Sequence, residues 1–281
     1  MGVMPTFKLT LAYDGTGYVG WQQQASGTSI QGLLEDALAE LDGRDVRVTG
    51  AGRTDAGVHA LGQVAGVSTE RSIGAAALVG AINARLPGAV RVLAAEEVPP
   101  TFHARFNARS KTYRYRIWNG DVISPFERAY AWHVRTPLDV EAMASAACVL
   151  EGRHDFAAFQ AADPEVRTTE RVVFSSRVHS SLVDLGPEGP CYTGSPHGSR
   201  AGLRAWGGTL ITYEISGNGF LRHMVRNIVG TLVELGRRRR AAQWVSQVLA
   251  SRDRAQAGPT APPEGLFLVS IEYEAPLAAE R

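Results

Sequence analysis

The sequence predicts an α+β fold with a mainly antiparallel sheet. Strand-like and helix-like segments alternate irregularly, without a regular βαβ rhythm, and several strand-like segments stand as hairpin-type neighbours. Similar numbers of elements fall on either side of residue 108, which suggests two α+β halves, 1–108 and 109–281. Thr6 to Tyr13 (TFKLTLAY) alternates as a strand should, and the turn DGTGY follows. Ser29 to Leu41 places Ile30, Leu33, Leu34, Ala37, Leu38 and Leu41 on one helical face, with Ser29 as the N-cap. A strand over Asp45 to Thr49 leads into the glycine-broken loop Gly50 to His59. Gln63 to Ser68 reads as a strand, Gly74 to Leu86 as a helix ended by Pro87-Gly88, and Val90 to Val98 as a strand.

In the second half, Lys111 to Trp118 (KTYRYRIW) alternates strictly, so Tyr113, Tyr115 and Ile117 share a face. A short strand over Tyr130 to Val134, a helix over Asp139 to Leu150 and a strand over Arg171 to His179 follow. Asp184 to Trp206 is rich in Gly, Pro and Ser and reads as a surface loop or insertion. Thr209 to Ser216 is strand-like, Phe220 to Leu235 and Ala241 to Leu249 are helical, and Leu266 to Tyr273 is a final strand.

Composition narrows the function. With 281 residues, 44% apolar and 20% charged, the chain can bury a sizeable core. No apolar run reaches the roughly 18 residues of a membrane span, and MGVMPTFKLT lacks the charged and apolar stretches of a signal peptide. Cys148 and Cys191 stand far apart, which excludes a disulfide framework or zinc ribbon and fits a reducing cytoplasm. No histidine pair has metal-ligand spacing. The 27 arginines against two lysines, Lys8 and Lys111, fit either GC-rich codon usage or a nucleic-acid partner. A net charge of +1 requires any nucleic-acid surface to be a local patch.

Three segments stand out. Gly50 to Ala60 (GAGRTDAGVHA) sets Arg53, Thr54 and Asp55 among glycines, which permit positive φ and close approach of a ligand to backbone. It is not a dinucleotide fingerprint, because Asp55 stands where the third glycine belongs. Thr101 to Gly120 interleaves Arg105, Arg109, Lys111, Arg114 and Arg116 with Phe102, Phe106, Tyr113, Tyr115 and Trp118, without an acidic residue. Such a stretch suits phosphates and stacked bases, or equally a strand with one solvated basic face. Gly217 to Gly230 carries Arg222 and Arg226 at i, i+4 spacing, expected to share a helix face, with Phe220, Met224, Val225 and Ile228 packing inward.

Together these segments resemble the TruA-type tRNA pseudouridine synthases: GRTDAGVHA matches the family's catalytic loop, KTYRY its substrate-tyrosine strand and FLRHMVRNIVG its third active-site segment. YDGTGYVGWQ, NARLP, FHARFNA and EGLFLVSIEY are similar to further family segments and stand in family order. The long stretch at 184–206 departs from the shorter family loop. The resemblance implies the pseudouridine-synthase fold, two α+β halves sharing a central mainly antiparallel sheet with the active-site cleft between them. It implies isomerisation of uridines at positions 38–40 of the tRNA anticodon stem-loop, without cofactor or metal, by a cytoplasmic homodimer. By motif, Asp55 becomes the catalytic aspartate, acting by a nucleophilic or a glycal route. Tyr113 stacks on the target base and takes part in the late proton transfer, Arg53 helps extrude the nucleotide, and Arg226 pairs with Asp55. A neighbouring Arg opposes the protonation that desolvation imposes on a carboxylate. A catalytically inactive tRNA-binding protein or chaperone of the same fold is the alternative, against which the intact Arg53-Thr54-Asp55 speaks. A glycosidase would need two carboxylates flanking one sugar.

Overall fold

The computed structural model describes residues 4–162, 167–183 and 207–274. The 184–206 stretch and Cys191 lie outside the described residues. The architecture is mixed α+β, with ten strands in one sheet and five α-helices among the described residues. In chain order the elements are β1 (Thr6–Tyr13), α1 (Ile30–Asp42), β2 (Thr49–Gly50), β3 (His59–Ser68), α2 (Ala75–Asn83), β4 (Val90–Val98) and β5 (Ala108–Asn119). They continue with β6 (Trp132–Val134), α3 (Val140–Cys148), β7 (Gly152–Asp155), β8 (Glu170–Val183), β9 (Gly208–Gly217), α4 (Met224–Gly236), α5 (Trp244–Ser251) and β10 (Leu266–Tyr273).

The sheet runs β4-β1-β3-β10-β5-β9-β8-β7, with β2 added to β3 and β6 to β5. All pairs are antiparallel except β10 with β3 and β6 with β5. The last strand is therefore the seam. β10 lies between β3 and β5, with Leu268 opposite Ala60 on one side and Tyr113 on the other. This register brings the end of the Gly50–His59 loop within two strands of Tyr113, although they are far apart in sequence.

Most elements follow their sequence signals. Ser29 caps α1, its Oγ accepting from Gly32 N at 3.0 Å, and Ile30, Leu34, Ala37, Leu38 and Leu41 are buried. Asp139 caps α3 in the same way. Tyr113, Tyr115 and Ile117 all point into the core.

Three expectations are corrected. Asp45 to Thr49 is not a strand: β2 is confined to Thr49–Gly50. The backbone of Val48 is satisfied by α1 instead, with its N–H donating to Glu35 Oε1 and its carbonyl accepting from Gln31 Nε2. The four-residue β7 (GRHD) was not expected, because it has no apolar alternation. The third correction falls at the candidate site: α4 begins at Met224, not Phe220, because His223 takes a left-handed backbone (φ 60°). Arg222 thus precedes the helix, is exposed, and shares no helix face with Arg226.

Candidate active site

The loop between β2 and β3 is held from several sides, so its backbone is fixed before any ligand arrives. Thr54 O accepts from Trp21 N at 3.0 Å, and Tyr18 O accepts from Gly57 N at 3.3 Å. Gly52 O accepts from Gln63 Nε2 at 2.8 Å, and Ala51 O from Lys111 Nζ at 2.7 Å. The buried hydroxyls of Tyr13 and Thr54 meet at 2.9 Å, and burial pushes the Tyr13 phenol up to about 12. The glycines do specific jobs. Gly57 takes φ 76°, closing the turn after Asp55. Gly20, at φ 102°, lets the YDGTGYVGWQ segment lie against the loop, where a Cβ would sit 2.5 Å from Thr54 O.

Asp55 stands at the tip with its side chain 28% exposed. Its Oδ2 accepts from Arg226 Nη1 at 3.1 Å and lies 3.5 Å from His223 Nε2. Arg226 is itself anchored. Its Nε donates to Ala261 O at 2.7 Å, and its own carbonyl accepts from Ala261 N at 3.1 Å. One fork nitrogen is committed to the fold and another to the carboxylate, a geometry that a lysine ammonium cannot supply. The helix behind it is buried along most of its length. Gly230 permits this, since a Cβ there would fall 1.6 Å from Pro259 O.

Tyr113 closes the base of the site. Its ring is buried and meets Phe220 edge-on, with centroids 5.1 Å apart and planes at 81°. Burial raises its phenol well above the ordinary range, and the Tyr13 phenol and the Asp55 charge push the same way. The phenol is therefore a neutral hydrogen-bonding group at neutral pH. A Cβ on Gly52 would lie 3.9 Å from its hydroxyl oxygen, which puts the phenol against the Gly50–His59 loop.

The structure thus gathers Asp55, Arg226 and Tyr113 from separate parts of the chain. Arg53 lies on the exposed rim, donating from Nε to Gln22 Oε1 at 3.0 Å. His223 was missed in the sequence. Burial pushes its imidazole down, with Arg226, Arg222 and Arg254 adding to this and Asp55 opposing it. No local signal marked it: Gly217-Asn218-Gly219 ends before Phe220, and the left-handed backbone at His223 itself sets the start of α4 at Met224. His59, the other histidine near the loop, is structural. Its Nδ1 accepts from Gly15 N at 3.0 Å, its Nε2 lies 3.1 Å from Ala129 O and 3.2 Å from Glu264 O, and its ring stacks on Phe267. Among the described residues no group of three His, Cys, Asp or Glu side chains could hold a metal ion, and no helix is long and apolar enough to cross a membrane.

A family model described as tRNA pseudouridine synthase matches residues 10–107 and 146–274, which hold Asp55 and Arg226. The chain is 46% identical over 270 residues to a tRNA pseudouridine synthase A of Myxococcus xanthus, covering 96% of this chain and 92% of the relative. It is 45% identical over 272 residues to the protein of that name from Moorella thermoacetica, covering 96% of this chain and 100% of the relative. It is 43% identical over 270 residues to that from Geobacter sulfurreducens, with 96% and 100% covered. The chain belongs to the tRNA pseudouridine synthase family.

Proposed function

We propose that this protein converts uridine to pseudouridine in tRNA, acting at positions 38–40 of the anticodon stem-loop. The observation that carries the reading is the Asp55–Arg226 pair beside the buried Tyr113, built on a chain that belongs to this family. The reaction breaks the C1′–N1 bond, turns the uracil and joins C1′ to C5. The proton on C5 is lost and N1 gains one, so atoms balance without a cofactor or metal.

In this reading Asp55 supplies the carboxylate that the reaction needs, either as a nucleophile or as an aid to proton loss. Arg226 aims it, because its guanidinium is fixed at Ala261 and can turn little. Tyr113 offers a flat face to the extruded uracil and a neutral hydroxyl for the late proton transfer, while Phe220 braces its ring. A base must leave its stack before chemistry, at a cost of a few kcal/mol. Arg53 on the rim is placed to help hold the opened strand, since Arg–phosphate contacts offset such costs. The protein works as a cytoplasmic homodimer with tRNA lying across both subunits, as the family resemblance implies.

The reading is tested by incubating the protein with tRNA from cells lacking the modification, then mapping pseudouridine by carbodiimide treatment and primer extension. New stops at positions 38–40 are expected, with activity unchanged in EDTA at fixed ionic strength. No stop anywhere in the tRNA would overturn it.

A further inference from the structure

Beside the catalytic loop lies a group of cations that the Asp55–Arg226 pair does not use. Lys111 is on β5, on the same strand face as Tyr113. Its ammonium donates to Ala51 O and would be 3.5 Å from a Cβ on Gly52. Arg171 is the second residue of β8, and its Nη1 donates to Thr168 O at 2.8 Å and Glu170 O at 2.6 Å. Its Nε would be 3.8 Å from a Cβ on Gly219, one residue before the Phe220 that braces Tyr113. Arg105 precedes β5 and acts electrostatically on both Lys111 and Arg171.

Among the described residues no ion pair joins any of the three to a carboxylate, and the Arg105 and Arg171 charges both act on Lys111. Burial pushes the Lys111 amine down to about 8, with Arg105 and Arg171 adding to this. Like charges gathered in a part-desolvated place are costly unless an anion joins them. Two glycines, Gly52 and Gly219, line the approach, so backbone can come close to a ligand. The neighbouring Phe106 ring is 75% exposed, tilted against His103 with centroids 4.1 Å apart, and the Arg105 guanidinium is 5.9 Å from its centre. A flat open aromatic beside cations suits a nucleotide better than a bare ion.

We infer that Arg105, Lys111 and Arg171 form a cradle for one RNA phosphodiester next to the extruded uridine. This rests on the reading of the protein as a tRNA-modifying enzyme. The cradle grips backbone and carries no base information, so it fixes the register of the flipped nucleotide over Tyr113.

The test is tRNA binding as a function of salt, in wild type, Arg105→Gln and Arg171→Gln, with thermal melts as a check on folding. Arg105 is exposed, so its variant keeps the fold. Each single substitution is expected to reduce the slope of log K against log salt, and the Arg105→Gln/Arg171→Gln double substitution to reduce it by about 0.7–0.9, one phosphate contact's worth. A second arm uses anticodon stem-loop RNA carrying single uncharged methylphosphonate linkages around the target uridine. One linkage is expected to weaken binding to wild type while leaving binding to the Arg105→Gln/Arg171→Gln double variant unchanged. If wild type binds and modifies tRNA, yet both variants keep its slope and no linkage couples to them, the cradle does not exist. If wild type neither binds nor modifies tRNA, the function reading beneath it fails instead.

Discussion

The two sides of the site are built by opposite means. Asp55 sits on a loop whose backbone is tied down by Trp21, Gln63 and Lys111, while its side chain is left partly open. Arg226 rises from a buried helix and is gripped at Ala261 before it reaches the carboxylate. The loop offers access and the helix offers rigidity. In the proposed reaction the carboxylate meets a flipped nucleotide and cannot be walled in, so its aim comes from a neighbour that cannot move. Placing the pair across the β3–β10–β5 seam puts both requirements in one cleft.

Breaking the rigid side should cost most. Arg226→Ala is expected to lower kcat about 100-fold, the scale of a misplaced reacting group, while tRNA affinity stays within a few fold. Arg226→Lys should recover part of this, since it restores charge but not the fork. Arg222→Ala serves as the control, because Arg222 lies outside α4 and faces solvent. Single-turnover kinetics on one tRNA compare the three, and equal effects at 222 and 226 would dissolve the comparison. Tyr113→Phe should also lower product formation about 100-fold, as loss of a proton-transfer group does, with binding kept. Tyr113→Ala should in addition weaken binding by roughly 1–3 kcal/mol of lost stacking.

The helix can be loosened without touching its charge. Gly230→Ala forces a Cβ into Pro259 O, and overpacking of this kind costs about 1–3 kcal/mol or more. Thermal melting should show the loss, and kcat should fall with it if rigidity aims Asp55. A smaller effect sharpens the loop side. Lys111 keeps its proton below about pH 8 and loses it above. Its attraction for phosphate is therefore present at neutral pH and fades as pH rises, by at most about tenfold in affinity per pH unit for one proton. The groups around it are Arg105, Arg171 and the neutral Tyr113 phenol. Lys111→Arg should flatten the affinity profile between pH 7.5 and about 9, which titration of labelled anticodon stem-loop would read.

What the sequence disclosed follows from this division. The loop was legible because its glycines and its Asp are local requirements, written in adjacent letters. β1, α1, β4 and β10 were legible because apolar period and an N-cap state them directly. The entrance of α4 was misplaced because apolar periodicity runs back to Phe220, while the left-handed backbone at His223 cuts the helix. The contact between His223 and Asp55 was hidden for the same reason, since it depends on that turn. The irregular run before β2 escaped because Glu35 and Gln31, from another element, satisfy its backbone. The cation cradle was visible as basic letters, but Arg171 comes to Lys111 only through the β5–β9–β8 register.

The most direct measurement is single-turnover pseudouridine formation by Asp55→Asn, with tRNA affinity determined on the same RNA. Asparagine keeps the size of the side chain but removes the charge that meets Arg226. The expected result is a loss of at least about 10³-fold in rate with affinity within a few fold of wild type, because arginines elsewhere carry the binding. Near-normal turnover by Asp55→Asn would contradict the account, since the chemistry would then lie outside the pair that the loop and the helix form.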